Sequence, residues 1–276
     1  MSFISIEQNP RFGFGKNWQA FLSNIDEQRV ERAKESLTSF LGITDLRGKT
    51  FVDVGSGSGL FSYAAFLLGA KRIVSFDYDK YSVAATAAFR EQAGTPAHWQ
   101  VLHGSALDPD FLAPLGRFDV VYSWGVLHHT GSMWQAVDRT VQLTAPKGTY
   151  CIALYNRVEG RFGSRFWLKV KKRYNSGSVL TRKLIEWAYI FMYYFLLPLS
   201  HLRSPFRVMR EYGSKRGMHY RRDVTDWVGG YPYEYASPEE VFAFMKQRFP
   251  KFRLENLRTV SGIGNNQFLF ISTEPS

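Results

Sequence analysis

Asp53 stands in an apolar run, Phe51-Val52-Asp53-Val54, and is followed by Gly55-Ser56-Gly57-Ser58-Gly59. Glycine at every second position lets a chain leaving a strand turn sharply and approach a ligand more closely than any side chain permits. Roughly twenty residues on, the spacing expected of a ribose-binding acid, Ile73-Val74-Ser75-Phe76-Asp77 reads as a second short strand ending in a carboxylate. Such a carboxylate can accept hydrogen bonds from both ribose hydroxyls, so the two features together point to a nucleoside-containing cofactor. The spacing is Gly-x-Gly-x-Gly, not the Gly-x-Gly-x-x-Gly of dinucleotide sites, and no Gly-Lys-Ser/Thr follows, which excludes a P-loop. Further on, Ser123-Trp124-Gly125-Val126-Leu127-His128-His129-Thr130 follows another strand-like run. Histidine titrates near neutrality and suits removal of a proton from an acceptor hydroxyl. Adjacent side chains point in different directions, so His128 and His129 are not expected to form a metal pair. One of them is expected to face the pocket, with His129 the first candidate base and His128 the second. Positioning alone can also supply much of the rate, and both histidines then have packing roles.

The elements that must hold these residues alternate along the chain. Strands are expected at 50–54, 72–76, 98–103, 118–123 and 148–155, and helices at 59–68, 80–92 and 132–143. That alternation predicts a parallel sheet with helices on both faces. An amphipathic helix over 24–41 precedes them, with Ile25, Val30, Ala33, Leu37, Phe40 and Leu41 near a 3.6-residue period. A helix over 238–248 opens with Ser237 as cap, Pro238 in the first turn and Glu240 completing a capping box. Strands near 253–260 and 267–272 follow. Residues 156–236 fit none of this and are too long for a simple connection. They are read as an inserted α-rich lid on the substrate side. The expected domains are 1–155 with 237–276, binding the cofactor, and 156–236.

From Val52 to Gly59 the chain resembles motif I of class I S-adenosylmethionine-dependent methyltransferases, in which an acid opens Asp-x-Gly-x-Gly-x-Gly. Asp77 matches the ribose-binding acid, and Gly104-Ser105-Ala106-Leu107-Asp108 the loop beside the adenine. Phe118-Asp119-Val120-Val121-Tyr122-Ser123 matches strand four, and Leu143-Thr144-Ala145-Pro146-Lys147-Gly148-Thr149 the turn into strand five. The small-molecule branch related to polyprenyl-quinone O-methyltransferases is the subfamily it resembles. The resemblance implies a Rossmann-like α/β fold with seven strands, the last two an antiparallel hairpin, and S-adenosylmethionine as cofactor. It further implies that Gly55, Ser56, Gly57 and Gly59 pass under the methionine part. Asp53 contacts the ammonium or caps the turn. Tyr78 covers the adenine or lies on the surface, Ser105 and Ala106 meet the adenine edge, and Ser123 belongs to the same pocket. The aromatic N-terminal segment, with Lys16 and Trp18, closes over the cofactor or packs the first helix.

The inserted stretch 218–235 lacks helix or strand period and is read as a loop over the substrate. His219, Arg222, Asp226, Tyr231 and Tyr233 are its candidate substrate contacts, with Asn266 and its neighbours Asn265 and Gln267 from the last hairpin. In the alternative, Asp226 and Glu234 satisfy backbone amides of an ordered linker. Net charge is +11, yet between Arg157 and Asp223 there are 16 Lys/Arg against 4 Asp/Glu, so the basic character belongs to one segment. Residues 184–199 are apolar nearly all round, carry Glu186 as their single charge, and are flanked by Lys169, Lys171, Lys172, Arg173, Arg182, Lys183, Arg203, Arg207 and Arg210. Sixteen residues fall short of a span, which needs ~20, so peripheral contact with an anionic membrane is one reading and a buried helix or an oligomer contact the other. The single cysteine, Cys151, lies in an apolar strand and excludes a disulfide framework. The start of the chain lacks signal-peptide character, so a cytoplasmic protein is expected. The expected function is methyl transfer to a hydroxyl of a small aromatic or lipid-linked molecule. A tRNA methyltransferase is the alternative, and a non-catalytic cofactor-binding subunit a further one.

Overall fold

The computed structural model describes residues 27–196, 204 and 220–275. Lys16, Trp18 and His219 lie outside the described residues, and Arg222 is described only in its backbone. The described residues fall into two compact units, one of 159–233 and the other of 27–158 with 234–275.

The larger unit begins with α1 (Glu27–Leu41) and continues β1 (Thr50–Val54), α2 (Leu60–Leu67), β2 (Arg72–Asp77), α3 (Lys80–Gln92) and β3 (Trp99–His103). A short α4 (Pro109–Leu112), β4 (Phe118–Trp124), α5 (Met133–Val141) and β5 (Thr144–Tyr155) follow. The seven strands form one sheet in the order β3-β2-β1-β4-β5-β7-β6, where β6 is Phe252–Arg258 and β7 is Asn265–Ser272. β1 to β5 run parallel, and β7 lies antiparallel between β5 and β6. This is the Rossmann-like α/β arrangement expected.

Alternation along the strands divides the core in two. Val52, Val54, Val74, Phe76, Val121, Ile152 and Phe268 belong to one apolar cluster, with α5 and the helix Pro238–Arg248. Phe51, Ile73, Val120, Tyr122, Cys151 and Leu269 belong to the other, with α1, α2 and Trp99. Successive side chains of a strand point to opposite faces, so strands buried on both sides read as near-continuous apolar runs. Cys151 is fully enclosed, and burial pushes its thiol far above the usual range. The last helix opens with the predicted capping box, Glu240 N–H donating to Ser237 Oγ at 3.3 Å and Ser237 N–H to Glu240 Oε2 at 2.8 Å.

The chain leaves β1 toward β2 on one side and returns to β4 on the other. Open α/β sheets bind ligands outside the carboxyl ends of strands at such a reversal. Both sets of residues singled out for chemistry, 55–59 and 125–129, leave the sheet there.

The second unit contains α6 (Ser164–Ser176), α7 (Val179–Ile190) running on into a π-turn over Phe191–Leu196, and α8 (Tyr220–Gly229). Helix α8 corrects the reading of 218–235 as a loop without period. Its buried stripe is Val224 and Val228, four residues apart, beside a half-buried Trp227. Two valines among Arg, Asp and Gly are too few to mark a helical face in the sequence. On α6 the stripe is Trp167, Lys171 and Tyr174. Lys171 Nζ donates to Trp227 O, and Asn175 Nδ2 to Gly229 O at 2.8 Å, so α6 caps the last carbonyls of α8.

Lys171 Nζ also lies 4.1 Å from the Trp227 ring centre and 4.9 Å from that of Tyr233. Burial lowers its pKa from 10.5 to about 7. Because the folded value lies below the unfolded one, the destabilisation is full below about 7, shrinks as pH rises, and is gone above 10.5. Lys171→Met should therefore stabilise this unit at about pH 6 by about 1–4 kcal/mol, the gain usual on replacing a buried charge with an apolar group. The advantage should shrink toward about pH 10, as read by amide exchange in α6 and α8. A variant less stable at about pH 6 would show that the ring and carbonyl contacts outweigh burial.

Candidate active site

The turn after β1 is held from two sides. Gly55 N–H and Ser56 N–H both donate to Phe76 O, at 2.8 and 3.0 Å, fastening the turn to the end of β2. Gly55 has φ of 74°, and a Cβ there would lie 2.3 Å from Val126 Cγ1, so the turns after β1 and β4 touch. A Cβ on Gly59, φ 84°, would lie 2.7 Å from Thr86 Cα on α3. Ser56 Oγ bonds Thr86 Oγ1 at 2.8 Å. Ser56 and Gly59 thus set the packing of the turn on α3, while Gly57 presents its N–H to Asp77 Oδ2 at 3.0 Å. The other Asp77 oxygen accepts from Asp79 N–H at 2.8 Å, and Asp79 in turn caps α3 through Tyr81 N–H at 2.8 Å.

Asp53 is buried and does not cap the glycine turn. Its Oδ2 accepts from Ser62 Oγ at 2.5 Å, Ser62 accepts from Ser75 Oγ at 2.7 Å, and Ser75 accepts from Trp99 Nε1 at 2.9 Å. Burial pushes Asp53 up to about 7, opposed by the Ser62 hydroxyl and reinforced by the charge of Asp77. Burial likewise raises Asp77 to about 6, opposed by the Asp79 and Gly57 amides. Two neighbouring carboxylates held above their ordinary range suit a ligand that brings hydroxyl donors and positive charge, because both favour the ionised form. S-adenosylmethionine, with ribose hydroxyls, an ammonium and a sulfonium, is such a ligand.

The remaining cofactor candidates divide. Tyr78 is 58% exposed, its ring 6.2 Å from that of His103, whose Nε2 is 2.9 Å from Tyr78 O. It follows Asp77 directly at the end of β2. Ser105 Oγ accepts from Leu107 N–H at 3.1 Å, closing the turn after β3, and Ala106 is buried in the core. Ser123 Oγ donates to Val54 O at 3.0 Å, joining the ends of β4 and β1.

After β4 the chain makes a single 3₁₀ turn, Leu127–His129. His128 is fully buried, with its ring 3.9 Å from that of Tyr155. Its Nδ1 accepts from Tyr155 N–H at 3.2 Å, which requires a lone pair on that nitrogen and places the proton of the neutral ring on Nε2. That bond engages the Nδ1 lone pair of His128 within the fold. His129 is half-buried, packed edge-on to the Tyr155 ring at 5.4 Å.

Two further residues shape this turn. Glu234 N–H donates to His128 O at 2.9 Å, and its carboxylate accepts from Met133 N–H at 3.0 and 3.1 Å. One residue thus clasps both ends of the turn, an extension of the amide-satisfying role weighed for it. Asn265 pairs with Tyr155 across β5 and β7, and its Nδ2 lies 3.8 Å from where a Gly125 Cβ would stand. Among the described residues its buried Oδ1 has no hydrogen-bond partner, so it offers an acceptor beside the β4 edge. Asn266 points the other way: Nδ2 donates to Asn156 Oδ1 at 2.9 Å, and Oδ1 accepts from Val260 N–H at 3.0 Å. A signal was present in the adjacent asparagines, but choosing between them needs the strand register.

Asp226, Tyr231 and Tyr233 belong to the second unit. Asp226 O accepts from Gly230 N–H at 2.9 Å, Tyr231 is half-buried, and Tyr233 is buried against Lys171 and Trp227.

Residues 52–150 match the family model of a methyltransferase domain. A tRNA U34 carboxymethyltransferase from Shewanella baltica is 38% identical over 101 residues, which is 37% of this chain and 29% of that protein. The chain thus spans less than a third of the curated relatives it matches. Among solved structures, magnesium protoporphyrin IX methyltransferase from Synechocystis PCC 6803, with bound S-adenosylhomocysteine, superposes with a TM-score of 0.53 at 12% identity, covering 94% of each chain. The N-methyltransferase NodS from Bradyrhizobium japonicum, also with S-adenosylhomocysteine, gives 0.51 at 13% identity, covering 95% of this chain and 100% of its own. The fold is that of S-adenosylmethionine-dependent methyltransferases.

Proposed function

We propose that this protein is an enzyme transferring the methyl group of S-adenosylmethionine to a hydroxyl of a small organic acceptor, aromatic or lipid-linked. The observation that carries the reading is the 3.0 Å bond from Gly57 N–H to Asp77, which fastens a ribose-type acid to a glycine turn at the reversal of strand order. S-adenosylmethionine supplies an electrophilic methyl group. Asp77 holds the ribose hydroxyls, Asp53 lies at the base of the turn as counter-charge, and Tyr78 covers the adenine. His129 takes the hydroxyl proton of the acceptor, and Glu234 keeps the turn that carries His129 in place. His128 orients the end of β5 through Tyr155.

A specific finding favours a second reading. The match to tRNA U34 carboxymethyltransferases, together with the basic surplus between Arg157 and Asp223, fits an RNA acceptor.

Cofactor binding is tested by calorimetry near neutral pH in buffers of different ionisation enthalpy. Proton release is expected, because the ligand lowers Asp77 from about 6 and Asp53 from about 7. No binding, or proton uptake, would overturn the assignment. Labelled S-adenosylmethionine offered with total tRNA, and separately with a small-molecule extract, then distinguishes the acceptors by where the label goes.

A further inference from the structure

The hydrogen bonds behind Asp53 all run in one direction. Asp53 and Ser75 are register partners on β1 and β2, Ser62 bonds both from α2, and Trp99 opens β3. Ser62, Ser75 and Trp99 are fully buried, so bulk water does not compete for these bonds. An indole N–H donates and cannot accept. Ser75 Oγ accepts from Trp99 at 2.9 Å and therefore spends its own single hydrogen on Ser62 Oγ at 2.7 Å. Ser62 in turn spends its hydrogen on Asp53 Oδ2 at 2.5 Å. A carboxylate suits the end of such a row. A proton on Oδ2 would meet the Ser62 hydrogen, and turning the row round would set the Ser75 hydrogen against the Trp99 N–H.

We propose that Trp99, Ser75 and Ser62 form a one-way relay that keeps Asp53 ionised and in a single orientation for the positive charge of the cofactor. The relay's purpose rests on the cofactor role proposed for Asp53. The three residues act through that carboxylate and are positioning residues. The surroundings of Asp53 create the need for them. Asp77 from β2 and Tyr122 from β4 face it, with Cys151 of β5 beside Tyr122. Asp77 brings a like charge, and burial keeps Tyr122 and Cys151 neutral by raising both well above their ordinary ranges. Among the described residues no cation pairs with Asp53. Donated hydrogens are then what favours its charged form before a ligand arrives, and successive hydrogen bonds polarise one another in a low dielectric.

The test follows the Asp53 carboxyl by carbon NMR in the free protein, and S-adenosylmethionine binding by calorimetry, from about pH 6 to about pH 9. Ser62→Ala should move the Asp53 titration upward by about one pH unit, because a hydrogen bond to the charged form is lost. Asp53 titrates at about 7 in the parent, so the variant should bind about fivefold more weakly near pH 7 and recover toward about pH 9. It should also release more protons on binding near neutrality. Ser75→Ala should have the same effects to a smaller degree, and Trp99→Phe the smallest. A packing role predicts the reverse order, since Trp99→Phe removes the most volume, and it would lower melting temperature without moving the titration. An unmoved Asp53 titration in folded Ser62→Ala and Ser75→Ala, or effects ranked by volume, would overturn the relay. A parent protein that binds no S-adenosylmethionine would overturn the cofactor role instead, and the titration in the free protein would still decide the relay.

Discussion

Asp77→Ala should weaken S-adenosylmethionine binding by about 10- to 100-fold, the effect of losing charge-assisted hydrogen bonds worth about 1–3 kcal/mol. The carboxylate contributes twice. It is the acceptor proposed for the ribose hydroxyls, and it already holds Gly57 N–H at 3.0 Å and Asp79 N–H at 2.8 Å. Alanine removes both, so the glycine turn and the start of α3 should loosen together, and amide exchange at Gly57 and Asp79 should rise. Asp77→Asn separates the contributions, because one carbonyl oxygen remains to hold an amide while the charge is gone. The pH profile carries the same information. Since burial raises Asp77 to about 6, wild-type affinity should fall as pH drops through that value, when the protonated acid becomes a poorer acceptor. In Asp77→Asn that part of the profile should flatten. A folded alanine variant that binds with parental affinity would remove Asp77 from the site.

Much of the cofactor-binding framework is legible in the sequence because its strands are buried on both faces. Val52, Val54, Ile73, Val74, Val120 and Val121 form runs that few other structures accommodate, and the glycine turn and capping box supply local punctuation. What is not legible depends on distance or on register. Glu234 clasps a turn 101 residues earlier, and no local pattern announces that. Asn265 and Asn266 differ only in which way a strand presents them, and a shift of one residue exchanges their roles. The partnership of Asp53 with Ser62, Ser75 and Trp99 assembles from β1, α2, β2 and β3, so an acid that reads as an ammonium contact or a turn cap has hydrogen-bond partners that no local pattern announces. In the second unit, α8 escapes because only Val224 and Val228 mark its buried face, and past Lys183 α7 reads as apolar nearly all round because it carries exposed as well as buried apolar side chains.

The histidine pair yields the other large effect, and its two members should fail in opposite ways. If His129 takes the acceptor proton, His129→Ala should lower kcat by about 10²-fold or more, the usual contribution of a positioned base. Cofactor affinity and melting temperature should stay near parental values, because the ring is only half-buried. His128→Ala should act on the fold. It empties a fully buried site and leaves Tyr155 N–H without the Nδ1 acceptor at 3.2 Å. Loss of that hydrogen bond costs about 0.5–1.5 kcal/mol, to which the cavity adds, so the melting temperature should drop. Added imidazole distinguishes chemistry from packing: it should restore part of the turnover of His129→Ala and leave His128→Ala unimproved. The measurement is kcat alongside thermal unfolding for both variants, once an acceptor is in hand. Parental turnover in His129→Ala would leave that ring a packing role on Tyr155 and assign the rate to positioning of acceptor against cofactor.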